Sequence, residues 1–319
     1  MTGLFEYYVI KTLIPVAFLV IGVVLGRNVQ RLDDRSYSAV CLLAIAPFWF
    51  FRHSLSQIPF TYDFIFILFF ILFHTAALFL IAYKFFHILE LSPRIHRLFL
   101  LNTVAVNILA LRQIQPLLGD PAQASQTVNT IIFYYMVIFA VFGAYLIVDE
   151  RSHYRGLGNI LKTPLLYALA AGLTLAVAKI EVPYKALEAI DPLYNIAIPL
   201  ALIAAGILVG KYVFFVQFQE YGVLIPGLIT VLSFRLILSP LLALLIAPLV
   251  LMDNIELQRA MILTSGAPTS LLACVLVSYN GKQNEKRFVV LCFLFSALIH
   301  FLTLPLLHFL LNSWIPTPD

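Results

Sequence analysis

Charge is what this chain has least of. Asp, Glu, Lys and Arg make up 11% of its 319 residues, against 62% hydrophobic ones, whereas ordinary globular chains carry about 25% charged residues. That shortage excludes a soluble domain, and the net charge of +4 reads as membrane topology rather than as a surface for nucleic acid. Cysteine is scarce as well. Cys41, Cys274 and Cys292 all lie inside apolar runs, where a thiol packs as a small apolar group and offers no disulfide framework or metal cluster. There is no Walker loop, zincin pair or nucleophile elbow, and Gly156-Leu157-Gly158 is too short a signal for a nucleotide. Neither catalysis nor ATP-driven transport is expected, and no resident cofactor or metal is called for. The first apolar run lacks a basic leader and a small-residue cleavage site, so it is expected to stay in the mature protein. Long Gly/Ser/Pro linkers are missing too, and the largest polar connection is Asp149 to Lys162.

What fills the chain instead is a series of continuous apolar runs, each about as long as a helical membrane span, with none of the short alternating segments of an outer-membrane barrel. The expected fold is an all-α integral membrane protein with ten spans, roughly 5–26, 36–52, 62–86, 96–118, 124–148, 162–180, 193–214, 224–250, 256–279 and 285–312. Tyr7, Tyr8, Tyr62, Tyr83, Tyr145, Tyr184 and Tyr279 fall near span ends, as interfacial anchors do. With the N-terminus outside, the inner loops collect Arg27, Arg31, Arg35, Lys84, Arg94, Arg97, Arg151, Arg155, Lys162, Lys211, Lys282, Lys286 and Arg287. The outer ends keep only Arg52, Lys179, Lys185 and Arg259. The positive-inside rule therefore places both termini outside.

Sliding the chain on itself by 162 residues lays His96–Ser125 over Gln258–Arg287 without a gap. Arg97 then meets Arg259, Leu101 meets Leu263, Ala105 meets Ala267, Leu109 meets Leu271 and Gly119 meets Gly281. Pro15 with Pro164 and Pro47 with Pro199 stand at similar offsets. Two halves of common origin are expected, residues 1–155 and 156–319. Five spans is an odd number, so the second half enters the membrane inverted. Inverted repeats suit alternating access.

The ninth span is interrupted by Leu263-Thr264-Ser265-Gly266-Ala267-Pro268-Thr269-Ser270. Pro268 lacks a backbone donor and Gly266 tolerates unusual dihedrals. A broken backbone at this depth must face protein or a polar cavity. In the repeat mate, Asn102, Thr103 and Asn107 bring amides and a hydroxyl to the fourth span, but Gly and Pro are absent there, replaced by Val104 and Val106. Where two broken helices cross, the half-helix N-termini offer unpaired N–H groups that suit a carboxylate. Candidate solute ligands are thus Asn102, Thr103, Asn107, Thr264, Ser265, Gly266, Pro268 and Thr269, with a proline kink or interhelical bonding as the structural alternative.

Arg235 lies too deep in the eighth span to reach an interface easily. Its guanidinium either meets a carboxylate solute or pairs with carbonyls freed at a break. Arg112 and Lys11 read as cations reaching for an interface. All sixteen acidic residues fall in loops or near span ends, which leaves His74 and His300 as weak candidates for proton coupling. Sodium coupling through carbonyls and hydroxyls stays open.

With these features in place, the chain resembles the auxin efflux carrier family, whose bacterial branch includes malate and malonate permeases, and more distantly the bile-acid sodium symporters. The resemblance rests on Gly22 to Gly26 with the basic loop after it, Pro47, Ile198-Pro199-Leu200-Ala201 through Gly206, and Ala267-Pro268 through Gly281 to Pro305. It implies a scaffold of spans one, two, six and seven, an elevator-like transport body of spans three to five and eight to ten, a substrate at the crossing of spans four and nine, and a homodimer. The functional expectation is a secondary carrier of a small organic anion, a dicarboxylate or other carboxylic acid, in a bacterial-type inner membrane. The alternatives are a sodium-coupled symporter of an amphipathic anion and a membrane ligand sensor that does not transport.

Overall fold

The computed structural model describes residues 2–29, 33–56, 62–89, 93–118, 121–143, 164–213, 224–251 and 254–314. The connection expected at Asp149 to Lys162, the loop cation Arg31, the anchor Tyr145 and the repeat partner Gly119 lie outside them. So do the side chains of Tyr7, Tyr8, Lys11, Tyr62 and Arg94.

Among the described residues the chain is helical, with one isolated β-bridge and no strand. The helices are α1 Thr2–Asn28, α2 Asp34–Leu55, α3 Tyr62–Leu89, α4 Pro93–Val104, α5 Ile108–Ile114, α6 Pro121–Ile138, α7 Pro164–Val177, α8 Tyr184–Tyr212, α9 Ile225–Leu251, α10 Ile255–Ser265, α11 Leu271–Asn280 and α12 Gln283–Trp314. Among the described residues, six stretches are long and apolar enough to cross a membrane: α2, Phe64–Phe85 within α3, Pro121–Val141, α8, α9 and α12. Large apolar side chains such as Phe73, Leu245, Leu249 and Leu302 face outward, which in water would be a large exposed apolar surface and in lipid is none. The chain is an all-helical, membrane-embedded protein.

Local chemistry sets several helix ends. Asp33 caps α2, accepting from the Arg35 and Ser36 N–H groups at 3.2 Å; the Ser36 hydroxyl on the same carboxylate, the leading cause, holds its pKa below the usual range. Asn254 caps α10 by accepting from Leu257 N–H at 3.0 Å. Helix α7 closes on a Schellman turn, with Ile180 N–H on Leu175 O at 3.0 Å and Lys179 N–H on Ala176 O at 3.2 Å. Lys179 occupies the left-handed position at φ 53° that glycine usually takes. Helix α8 begins at Tyr184, nine residues before the expected seventh span. Pro183, extended at its N-cap, needs no hydrogen bond there and leads directly into the first turn. Its 29 residues span about 43 Å, more than a hydrocarbon core of about 30 Å, so its first turns extend beyond the apolar stretch.

The chain divides into two compact units. The first comprises Met1–Pro59, Tyr135–Val216 and Leu271–Val290. In it α1 packs against α8, α7 against α2, and α11 against both α2 and α8. The α1–α8 contact is backbone on backbone. A Cβ on Gly22 would strike Ile203 O, one on Gly26 would strike Ile207 O, one on Gly206 would strike Leu19 O and one on Gly210 would strike Val23 O. Gly22-x-x-x-Gly26 faces Gly206-x-x-x-Gly210, a pairing of small residues that lets two membrane helices approach closely. Residue numbers rise together along this seam, so α1 and α8 run parallel. The same unit holds a buried charge cluster. Asp34 accepts from Lys286 Nζ at 2.6 Å and Lys211 Nζ at 3.3 Å, and from the hydroxyls of Ser278 at 3.2 Å and Tyr212 at 3.4 Å.

The second unit comprises Phe60–Tyr134, Gln217–Ser270 and Leu291–Asp319. In it α9 packs on α3, α4 and α10, α3 on α4, and α10 on α5.

Candidate functional site

The sequence gives a reason for the ninth span to break and none for the fourth, yet both break. Helix α4 stops at Val104 and α5 starts at Ile108; α10 stops at Ser265 and α11 starts at Leu271. The non-helical residues Ala105-Val106-Asn107, shifted by 162, fall on Ala267-Pro268-Thr269. The two interruptions meet: Val106 and Thr269 form an antiparallel bridge, and Asn107 N–H donates to Pro268 O at 2.8 Å. Val104 closes α4, and Val106 does not prevent the break, because a β-branched residue is at ease in extended backbone. Asn107 restarts the helix, its side chain capping α5 by accepting from Leu109 N–H at 3.1 Å. The structure therefore supplies the fourth-span break from a polar N-cap and a cross-strand bond rather than from Gly or Pro.

Broken backbone in a nonpolar surround must find partners, and the four consecutive carbonyls of the ninth break each have one. Ser265 O accepts from the Ser239 hydroxyl at 2.7 Å, Gly266 O from His300 Nδ1 at 3.1 Å, Ala267 O from Arg235 Nε at 2.7 Å and Pro268 O from Asn107. On the donor side, Gly266 N–H and Ala267 N–H turn back to Leu263 O and Thr264 O at 3.3 and 3.1 Å. Thr269 N–H donates to Ser296 Oγ at 3.1 Å. Gly266 adopts φ −81°, so its value here is room rather than unusual dihedrals: a Cβ would press on the Leu307 side chain at 3.2 Å.

Arg235 is 1% exposed. It sits in a π-helical turn, Phe234–Leu238, inside α9; such turns often redirect a side chain toward a functional position. Its Nη1 also donates to Thr103 O at 3.2 Å. One guanidinium thus bonds a carbonyl at each break, the geometry of the second alternative read from the sequence.

His74 lies beside this arrangement. Its Nε2 is 3.0 Å from Ser239 O and 3.2 Å from Ser239 Oγ, and its ring stacks on Phe70 at 5.5 Å. A carbonyl can only accept, so Nε2 carries the proton, and the Ser239 hydroxyl is left to donate to Ser265 O. His300 likewise donates from Nδ1, leaving Nε2 as an acceptor.

The sequence-read hydroxyls are buried; that of Thr269 pairs with Ser296 Oγ at 3.1 Å, and the other three turn onto their own helices. Thr103 Oγ1 donates to Phe99 O at 2.8 Å, Thr264 Oγ1 to Met261 O at 3.0 Å and Ser265 Oγ to Ile262 O at 2.6 Å. Asn102 Nδ2 donates to Leu98 O at 2.7 Å. Asn102 Oδ1 and His300 Nε2 are buried acceptors with no hydrogen-bond partner among the described residues. Asn102, Thr103, Asn107, Arg235, Thr264, Ser265, Gly266, Pro268, Thr269, His74 and His300 all belong to the second unit. Arg112 sits part-exposed in α5. Sequence reasoning missed Ser239 and Ser296. Ser239 was within reach of it, one turn beyond the buried arginine and directly before Pro240. Ser296 carries no such signal. No protein-family model matches the chain, and no curated protein does.

Proposed function

We propose that this chain is a secondary carrier of a small organic anion, a carboxylate, working by alternating access. The observation that carries the reading is the meeting of two interrupted helices at Val106 and Thr269 around a buried guanidinium. Interrupted helices that meet in this way are how transporters build solute sites away from bulk water. A fixed positive charge there favours an anion. Asn102, Thr103 and Asn107 would face the solute from one side and Thr264, Ser265, Gly266, Pro268 and Thr269 from the other, with Arg235 supplying the potential. The hydroxyl donors of Thr103, Thr264 and Ser265 are spent on their own helices, so an arriving carboxylate recruits them by rotation about χ1.

The wider architecture under this reading is ten spans in two inverted five-helix repeats, with both termini outside in a cell inner membrane. Three observations support it: the breaks coincide at a shift of 162, parallel α1 and α8 match a first and a seventh span, and one compact unit contains all the candidate residues. Membership of the auxin efflux carrier family and a homodimer belong to the same proposal, on the residues named for the resemblance.

The test is thermal stability of purified protein against a panel of mono- and dicarboxylates, with and without sodium, followed by counterflow in liposomes. A ligand at about 100 times its dissociation constant adds roughly 2.7 kcal/mol. Stabilisation by one carboxylate and counterflow of that compound are expected. No response across the panel would refute the anion assignment. Binding without counterflow would move the chain to a ligand sensor.

A further inference from the structure

We propose that Arg235 is the built-in cation of the crossing, occupying with its guanidinium the carbonyl-lined position that an alkali cation would otherwise take, so that ligand binding and carriage proceed without sodium. The inference rests on the carrier reading and adds to it what sets the ion requirement.

The argument begins with unmatched carbonyls. Interrupting two helices at one place frees main-chain oxygens there, and such oxygens replace the hydration shell of a monovalent cation in channels and carriers. Here two of them, Thr103 O and Ala267 O, one from each break, are bonded by a single side chain through Nη1 and Nε. The other carbonyls of the ninth break are already taken by the neutral donors Ser239 and Asn107 and by His300. The positive charge is therefore tethered and spread over a planar group that cannot be deprotonated under ordinary conditions. A diffusing cation would have to displace a charge that is covalently held and already desolvated. The π-helical turn at Phe234–Leu238 delivers that group to the spot. In an anion cycle such a residue supplies in every turnover the neutralising charge that a sodium-coupled carrier takes from solution.

The experiment needs no substrate. Purified wild type is melted in sodium, potassium and choline chloride at equal ionic strength. Equal melting temperatures are expected; a sodium-specific rise would overturn the inference. Arg235→Ala is then titrated with the same salts and with millimolar guanidinium chloride. The variant is expected to melt several degrees lower than wild type and to recover, saturably, with guanidinium and with the alkali cations but not with choline. Arg235→Leu, which fills the space, is expected to recover with none. An Arg235→Ala protein that folds and ignores every cation would also overturn it. If Arg235→Ala does not fold, Arg235→Lys, which keeps a charge at the position, takes its place: equal melting in the three salts is expected, and a sodium-specific rise would overturn the inference. Absence of carboxylate binding and flux would defeat the carrier reading while leaving this titration standing. Carboxylate flux that requires sodium would defeat the inference and leave a carrier.

Discussion

Replacing Gly206 by alanine tests how closely α1 and α8 approach. A Cβ there would overlap Leu19 O and lie 2.8 Å from Gly22 Cα and 2.9 Å from Val23 N. Carbon pairs are comfortable at about 3.5–4.0 Å, so the helices must separate by something near 1 Å. The opposing atoms are backbone, so no side chain can rotate away, and overpacking of this kind falls in the upper part of the usual range, about 2–3 kcal/mol. Alanine returns about 1 kcal/mol as a better helix former than glycine. The net expectation is a loss of about 1–2 kcal/mol. Gly22→Ala meets the same contact from the other side, with Ile203 O and Gly206 Cα in its way. Once either substitution has parted the helices, the second finds room, so the double variant should lose less than the sum, with a coupling of about 1 kcal/mol. Val24→Ala, on the 50% exposed face of α1, is the control and should lie within about 0.5 kcal/mol of wild type. The assay is reversible denaturation in mixed micelles, read by far-ultraviolet circular dichroism. A Gly206→Ala protein as stable as wild type, or strictly additive single and double variants, would refute the backbone contact.

Two further outcomes follow from the first unit. Asp34→Asn leaves the ammonium groups of Lys286 and Lys211 side by side without their shared carboxylate, and should cost about 3 kcal/mol in the same titration; a loss under about 1 kcal/mol would mean the cluster is solvated. Lys179→Gly relieves a left-handed residue at φ 53° and should raise stability by about 1 kcal/mol, visible as a higher denaturation midpoint; an unchanged or lower midpoint would count against the strain.

The helical membrane class was legible because it rests on composition and run length, which do not depend on tertiary contacts. The ninth-span break was legible for a similar reason: Pro268 lacks a backbone donor wherever it stands, although Gly266 next to it serves by leaving room rather than by its dihedrals. The fourth-span break was not, since Val104 and Val106 are unremarkable in a helix. What opens the chain there is a bond from Asn107 N–H to Pro268 O, an atom far away in sequence. The same distinction explains Arg235. Depth in an apolar run marked it as costly and therefore purposeful, but only the fold could show its donors directed at Thr103 O and Ala267 O. Gly22, Gly26 and Gly206 were noticed as isolated motif positions, and Gly210 was not. Their equal four-residue spacing on two helices was readable, and pairing it would have named a close backbone seam of the first unit from the sequence alone. A small-residue repeat shared by two spans is therefore a contact statement. A polar residue at membrane depth states only that a partner exists, because the partner here is main chain, and main chain has no signature in sequence.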